Sequence, residues 1–356
     1  MRSLFLVAAL AAPLPVPEMT DLGQLRIDQV QYIETHNSYH LAPDPEVTVW
    51  LETAGFHDGS WSGPQLARAI GYSNLPLTTQ LELGIRAFEL DVNDDPTGTR
   101  FVRPGFIDHL HAAGLPQTIP WDPAGVLRKP GFKTIHKADY DPRSTCPLFA
   151  DCLGEIARWS DAHPAHVPIL LMLEVKRAAA DRCPDLCADG WHRLEKELVG
   201  ALGRNRILTP ADAGTGWPTI DAARGKILIF LLDAEETARS YRDGQNRQPL
   251  LFTGARPGKG QPLPSVRPRW AILPRPDDPR IGTAIRQGML AYTRADADTG
   301  QARADDPVPR DRAFASGAQI VSTDYPVPDR RLSNYAVRFA DGRFVRCNPV
   351  TAAGRC

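Results

Sequence analysis

No apolar run in this sequence is long enough to span a bilayer. The stretch Leu4 to Ala12 covers nine residues, where about twenty are needed. Charge of either sign is in no excess. The 41 Lys and Arg against 42 Asp and Glu leave a net charge of -1, so the chain lacks the basic field that nucleic acid binding requires. No Gly-rich turn follows the first strand-like run, which argues against an open dinucleotide-binding sheet. No internal repeat is present. Cysteine is limited to six residues. Cys183-x-x-x-Cys187 has a tolerable zinc spacing, but no His or Cys pair nearby completes such a site.

What is present suits a large folded core. The chain has 356 residues, 42% apolar and 23% charged, with no compositional sign of disorder. It opens with "MRSLFLVAALAAPLP", in which Arg2 precedes a short apolar run and then small residues and prolines. That pattern predicts a secretory signal peptide over residues 1–18, leaving residues 19–356 as a single domain. The cysteines agree with export to a secreted or periplasmic location. Cys146 and Cys152, Cys183 and Cys187, and Cys347 and Cys356 form three close pairs that invite local disulfides, although spacing does not fix the connectivity.

Eight short apolar runs end in polar residues. They lie at about Val30–Glu34, Ile85–Asp91, Phe132–His136, Val167–Val175, Ile227–Leu232, Arg269–Leu273, Met289–Arg294 and Gln319–Ser322. Near-continuous apolar runs suit strands of a parallel sheet buried on both faces. Helical spacing in "CPLFADCLGEIARWSDAHP", "WHRLEKELVGALGR" and "DPRIGTAIRQ" falls between them. Alternating strands and helices in this number predict an α/β fold, a TIM-like (β/α)8 barrel with long loops on the catalytic face. Residues 92–131 and 233–268, rich in Pro and Gly, read as those loops. The tail from Tyr335 to Cys356 reads as a small hairpin turning at Asp341-Gly342.

The runs end in reactive side chains, and in a parallel barrel such ends converge on one mouth. Glu89 and Asp91 alternate onto one strand face. With Glu174 and the amide oxygen of Asn37 they form an all-oxygen set, which suits Ca2+, then the more demanding Mg2+, and zinc poorly. Plain salt bridges to Arg86 and Lys176 are the competing explanation. His36 and His136, at the ends of different runs, are the chosen acid–base pair. His109 and His111 compete with His136 because they also follow the second run. His40, His163, His166 and His192 read as surface or helix-end residues. Lys176, Arg294 and Tyr325 also stand at the ends of these runs.

At these residues the sequence resembles a known family. "THNSYH", "QLELGIRAFELDV", a later strand-end His and "PILLMLEVK" together resemble the calcium-dependent phosphoinositide-specific phospholipases C. The likeness extends to the secreted bacterial branch through "HKADYDPRSTC", from His136, and "SGAQIVSTDY", from Ser316. It spans roughly Ile27 to Tyr325. The resemblance implies a TIM-like barrel, Ca2+, a phospholipid substrate at a membrane surface, and phosphodiester cleavage to diacylglycerol and inositol (cyclic) phosphate. It implies His36 as general base, His136 as second histidine, and Asn37, Glu89, Asp91 and Glu174 as calcium ligands. With such a substrate Lys176 and Arg294 are candidates to hold phosphate or ring hydroxyls, or else a salt bridge across the mouth, and Tyr325 is a candidate to stack on the inositol face or to pack in the wall. The animal enzymes place the second histidine closer behind the Glu-x-Asp pair, which keeps His109 and His111 in contention. Their accessory domains have no counterpart here, and a monomer is expected.

Two alternatives accompany this reading. Glycerophosphodiester phosphodiesterases and sphingomyelinase D-like enzymes also combine a barrel, two histidines and a metal held by carboxylates. A non-catalytic calcium-dependent lipid- or carbohydrate-binding protein would need the oxygen cluster but neither histidine.

Overall fold

The computed structural model describes residues 19–176, 186–233, 235–244, 248–264 and 268–356. The expected signal segment, residues 1–18, and the expected Cys183–Cys187 pairing lie outside the described residues. Eight strands form the barrel: β1 Val30–Thr35, β2 Ala87–Val92, β3 Ile169–Val175, β4 Ile227–Leu231, β5 Phe252–Ala255, β6 Trp270–Ile272, β7 Leu290–Arg294 and β8 Ile320–Thr323. Each runs parallel to the next, and β8 pairs with β1 to close the sheet. Closure leaves no unpaired edge, so every strand is buried on both faces. Among the described residues no helix is long and apolar enough to cross a membrane.

Seven of the predicted runs coincide with barrel strands, and one does not. Phe132–His136 holds only isolated bridges, Lys133 with Asn93 and with Leu148. Its middle residue explains why. Lys133 is fully buried, with Nζ 3.2 Å from Asp95 and bonded to the carbonyls of Lys129 and Gly131. That local anchorage binds the segment to its own loop. The strand that takes the vacant place, β5, has four residues and lies in the interval read as loop. It includes Gly254, where an added Cβ would overlap the Trp270 indole. The close approach requires glycine and breaks the apolar signal.

The two intervals expected as loops also hold helices, Gly105–Ala112 and Glu235–Gly244. The three predicted helices appear as Phe149–Ala162, Cys187–Leu202 and Arg280–Arg286. The tail is not a self-contained hairpin. It turns at Gly342, whose φ is +80°. The following strand, β9 Val345–Cys347, then pairs antiparallel with the start of β1, Val30 opposite Cys347. Disulfides join Cys146 to Cys152 and Cys347 to Cys356.

Alternation along the strands sorts side chains into two layers. Tyr32, Met172, Phe230, Phe252 and Trp270 fill the barrel interior. Ile33, Phe88, Leu171, Trp191 and Leu198 pack between barrel and helices. Burying Phe230 or Phe252 contributes about 2–3 kcal/mol each relative to exposure. A third apolar cluster, around Val47, Trp50, Leu66, Phe106 and Tyr140, lies in the segments that follow β1 and β2. These segments build a cap beside the barrel mouth.

Candidate active site

The inward side chains of the barrel turn polar toward the strand C-terminal ends. Strand β1 ends in a tight turn at His36-Asn37, where Asn37 takes φ +43°. Left-handed backbone costs asparagine less than most residues, because its short polar side chain bonds locally. Two features hold the turn. Ser38 exchanges hydrogen bonds with Glu89, N to O and N to Oγ, both at 2.9 Å. Asn74 Nδ2 donates to the carbonyls of His36 and Asn37 at 3.0 and 2.9 Å. Ser38 thus locks the end of β1 against β2, and Asn74 holds the turn.

His36 Nδ1 lies 2.7 Å from Asp324 Oδ1. With that proton given to the carboxylate, Nε2 carries the lone pair, and Arg294 Nη1 stands 3.3 Å from it. Arg294 Nη2 also reaches Asp324 at 3.3 Å. Burial, then the Arg294 charge, holds the imidazole well below the ordinary histidine range. His36 is neutral near pH 7 and able to accept a proton.

His136 is built the same way from different material. Its Nδ1 lies 2.6 Å from Asp141 Oδ2. Asp141 is fully buried and also holds His40 Nε2 at 2.8 and 2.9 Å. Burial opposes ionisation of Asp141, yet His40 and His136 together pull it down to about 2. Both His36 and His136 line one pocket of about 220 Å³. Arg294, Asp324 and Tyr72 border it on one side, and Trp61, Leu66 and Ile70 form an apolar wall.

Beside the pocket, Glu89, Asp91 and Glu174 each offer an oxygen within 4.8 Å of the others. Glu89 Oε2 and Asp91 Oδ1 are buried with no hydrogen-bond partner. Lys176 Nζ bridges Asp91 and Glu174 at 3.0 Å each. Burial pushes Glu89 and Asp91 upward. Glu174 is lowered, because Lys176 outweighs the burial that would raise it. Three carboxylates against one ammonium, with orphaned oxygens, fit a hard divalent cation. Asn37 is buried beside them, its Oδ1 3.5 Å from the Tyr39 hydroxyl, which donates to Asp91 Oδ2 at 2.5 Å.

His36, Asn37, Glu89, Asp91, His136, Glu174, Lys176 and Arg294 therefore gather at the mouth, with Lys176 inside the carboxylate cluster rather than on the pocket wall. Tyr325 does not join them. It is 2% exposed and packs between Tyr72 and Tyr335. His109 stacks on Trp50 in the cap, 4.4 Å between centroids, and neither it nor His111 lines the pocket. Two expectations are corrected. His40 and His166, read as surface or helix-end residues, are buried; Asp141 holds His40 Nε2, and Ser160 and the Val167 carbonyl hold the two ring nitrogens of His166.

Several residues at the site carried no assigned role in the sequence reading. Asp324, at the end of the eighth run, partners His36. Asp141, five residues after His136, partners His136. Glu34 alternates onto the same face as His36 and lies fully buried inside the barrel, raised to about 8 by burial. The alternation that found Glu89 and Asp91 also marks Glu34. Tyr72 and Asn74 have no such signal.

Residues 25–349 match the family described as phosphoinositide phospholipase C, Ca2+-dependent. No curated protein matches the chain. Among solved structures it is similar to a calcium-dependent phosphoinositol-specific phospholipase C from a Pseudomonas species, apo form. Identity is 13% and the TM-score 0.57, covering 92% of this chain and 97% of that one. The myoinositol complex of the Pseudomonas enzyme gives 13%, 0.56, 92% and 96%. A Ca2+-dependent phosphatidylinositol-specific phospholipase C from Streptomyces antibioticus gives 15% and 0.47, covering 84% and 94%. At such identities the structural likeness speaks to the barrel, while the family match spans nearly the whole described chain. This chain belongs to the calcium-dependent phosphoinositide phospholipase C family and is a phosphoric diester hydrolase.

Proposed function

We propose that the enzyme acts outside the cytoplasm on phosphatidylinositol-type lipids, with His36 as general base and His136 as general acid. The observation that carries this reading is the pairing of two histidines in one pocket, each with a carboxylate on Nδ1. A carboxylate there fixes the tautomer and leaves Nε2 for chemistry.

His36 Nε2 takes the proton of the inositol 2-hydroxyl, and Asp324 stabilises the imidazolium that results. The freed oxygen attacks the phosphorus to which its own ring is tethered, so little orientational entropy is lost. The bond from phosphorus to the glycerol oxygen breaks, and His136 Nε2 protonates that oxygen. Diacylglycerol leaves, and the inositol cyclic phosphate remains for water to open. Arg294 moves its contact from His36 Nε2 to a phosphate oxygen as the hydroxyl enters. Asn37, Glu89, Asp91 and Glu174 would hold the calcium ion, which when bound acidifies the hydroxyl and offsets developing phosphate charge. The apolar wall of Trp61, Leu66 and Ile70 suits the glycerol and acyl side of a lipid rather than a soluble glycerophosphodiester.

The test is cleavage of phosphatidylinositol vesicles with added calcium or with chelator, followed by product analysis. Diacylglycerol and inositol cyclic phosphate are expected with calcium, and neither with chelator. Full activity in chelator would refute the calcium role. Release of choline or free glycerophosphate would favour the glycerophosphodiesterase or sphingomyelinase D-like alternative. Calcium binding without turnover of any of these substrates would favour the non-catalytic one.

A further inference from the structure

We infer that Tyr72 is a positioning residue that ties the calcium ligand Asn37 to the His36–Asp324 pair. The inference rests on the roles proposed above for His36 and Asn37. Tyr72 follows the helix Gly63–Ala69 and is 4% exposed. Its hydroxyl lies 3.2 Å from Asn37 Nδ2 and 3.2 Å from His36 Nδ1. The Nδ1 proton goes to Asp324 at 2.7 Å. One hydroxyl therefore accepts from the amide of Asn37 and lies against the ring nitrogen through which Asp324 orients His36.

This arrangement settles which end of the Asn37 amide faces the carboxylates. A carboxamide offers a donor end and an acceptor end, and a cation takes only the oxygen. Glu89 Oε2 and Asp91 Oδ1 are orphaned acceptors. Orphaned acceptors attract an amide NH2, which would turn the wrong end of Asn37 toward the ion. Tyr72 holds the nitrogen on the histidine side and leaves Oδ1 toward Tyr39 and Asp91. Partners behind a ligand commonly decide its orientation and affinity in this way.

The same residue reaches the second histidine. The Tyr72 ring stacks on His40 with centroids 4.3 Å apart, and His40 holds Asp141, the partner of His136. Asn74, two residues on, clamps the carbonyls of His36 and Asn37, and its backbone N–H donates to the His40 carbonyl at 2.8 Å. Segment Tyr72–Asn74 is thus a strap across the turn that carries both the proposed base and the proposed ligand.

Tyr72→Phe removes the hydroxyl and keeps the ring on His40. Calcium affinity is measured by calorimetry without substrate, in the parent protein, Tyr72→Phe, Asn37→Ala and the double variant. Tyr72→Phe is expected to weaken calcium about tenfold in the parent and less than about twofold once Asn37 is alanine, because the two act through one amide. A general structural role would cost the same in both backgrounds, and that result would overturn the inference. Unchanged affinity in Tyr72→Phe alone would overturn it too, while leaving the proposed function standing. If Asn37→Ala binds calcium normally, the ligand assignment fails and the inference with it. If Tyr72→Phe is too unstable to purify, Tyr72→Trp, which keeps a ring and lacks the hydroxyl, replaces it under the same criteria.

Discussion

The two histidine–carboxylate pairs occupy one pocket, yet they are held by different means. His36 and Asp324 follow adjacent strands, β1 and β8, whose last paired residues are Thr35 and Thr323. The ladder continues one step, with His36 N bonded to the Thr323 carbonyl at 2.9 Å. Barrel closure therefore sets their spacing. His136 and Asp141 lie five residues apart in one loop, joined by a bridge between Lys137 and Asp141. Buried His40 braces Asp141 from behind, and the Cys146–Cys152 disulfide closes the chain just beyond. A fold-level device positions the first pair, and a local hydrogen-bond network positions the second. The first should tolerate loop changes, and the second should not.

The largest expected effect breaks the barrel pair. His36→Ala should lower kcat/KM for phosphatidylinositol by about 10³–10⁴, with calcium affinity by calorimetry within about twofold of the parent. Retention of a tenth of the activity would remove His36 as the base. His136→Ala should cost about 10²–10³ by the same reasoning, and less for a substrate with a better leaving group than glycerol.

Next comes the loop network. Asp141→Asn strands His40 in the core and should cost about 3 kcal/mol of stability. Asp324→Asn, with Arg294 still beside it, should cost less. The pH dependence separates the two pairs. Burial would lower the His40 pKa, but the Asp141 charge outweighs it and the net shift is upward. A raised histidine adds stability that is complete below its unfolded value of about 6.5 and lost as pH rises through the folded value. Asp141, depressed to about 2, adds stability that is complete above about 3.9 and lost as pH falls. The pair is therefore at full strength between about pH 4 and 6.5. Thermal unfolding of the parent should show a decline above that window that is absent in Asp141→Asn. An identical pH profile for both proteins would contradict the buried His40–Asp141 ion pair.

A smaller effect tests the disulfide. Replacing Cys146 and Cys152 with serine should cost about 2 kcal/mol through the short loop they close. It should disturb the His136 pair more than the His36 pair. Histidine NMR spectra read this directly, and equal disturbance of both rings would erase the distinction. The smallest effect sharpens the assignment of the second histidine. His109→Ala and His111→Ala should each change kcat by less than about twofold, because neither borders the pocket.

The same contrast explains what sequence reasoning reached. Seven strands were legible because burial on both faces writes a continuous apolar run. Strand β5 was not, because Gly254 makes room for Trp270 and so carries no apolar side chain of its own. Strand ends then predicted that His36, Asn37, Glu89, Asp91, Glu174 and Arg294 share one end of the barrel, and the structure gathers them there. His136 lines the pocket, but not as the strand-end residue it was expected to be. It belongs to no strand, and its place depends on Asp141 and His40. Loop geometry of that kind has no period to detect. Tyr72 was invisible for a related reason, since its partners are reached only when the strap folds back over the β1 turn.

The final strand has a practical consequence. Strand β9 pairs with the start of β1, Arg355 bonds to Gln24 and Gln29, and Arg343 to Asp21. Residues near positions 20 and 355 thus meet under the barrel, on the side opposite the mouth. A tether, affinity handle or fluorophore attached there points away from the pocket. A copy immobilised through that face would present its open side to vesicles, which makes single-particle binding measurements feasible without re-engineering the mouth.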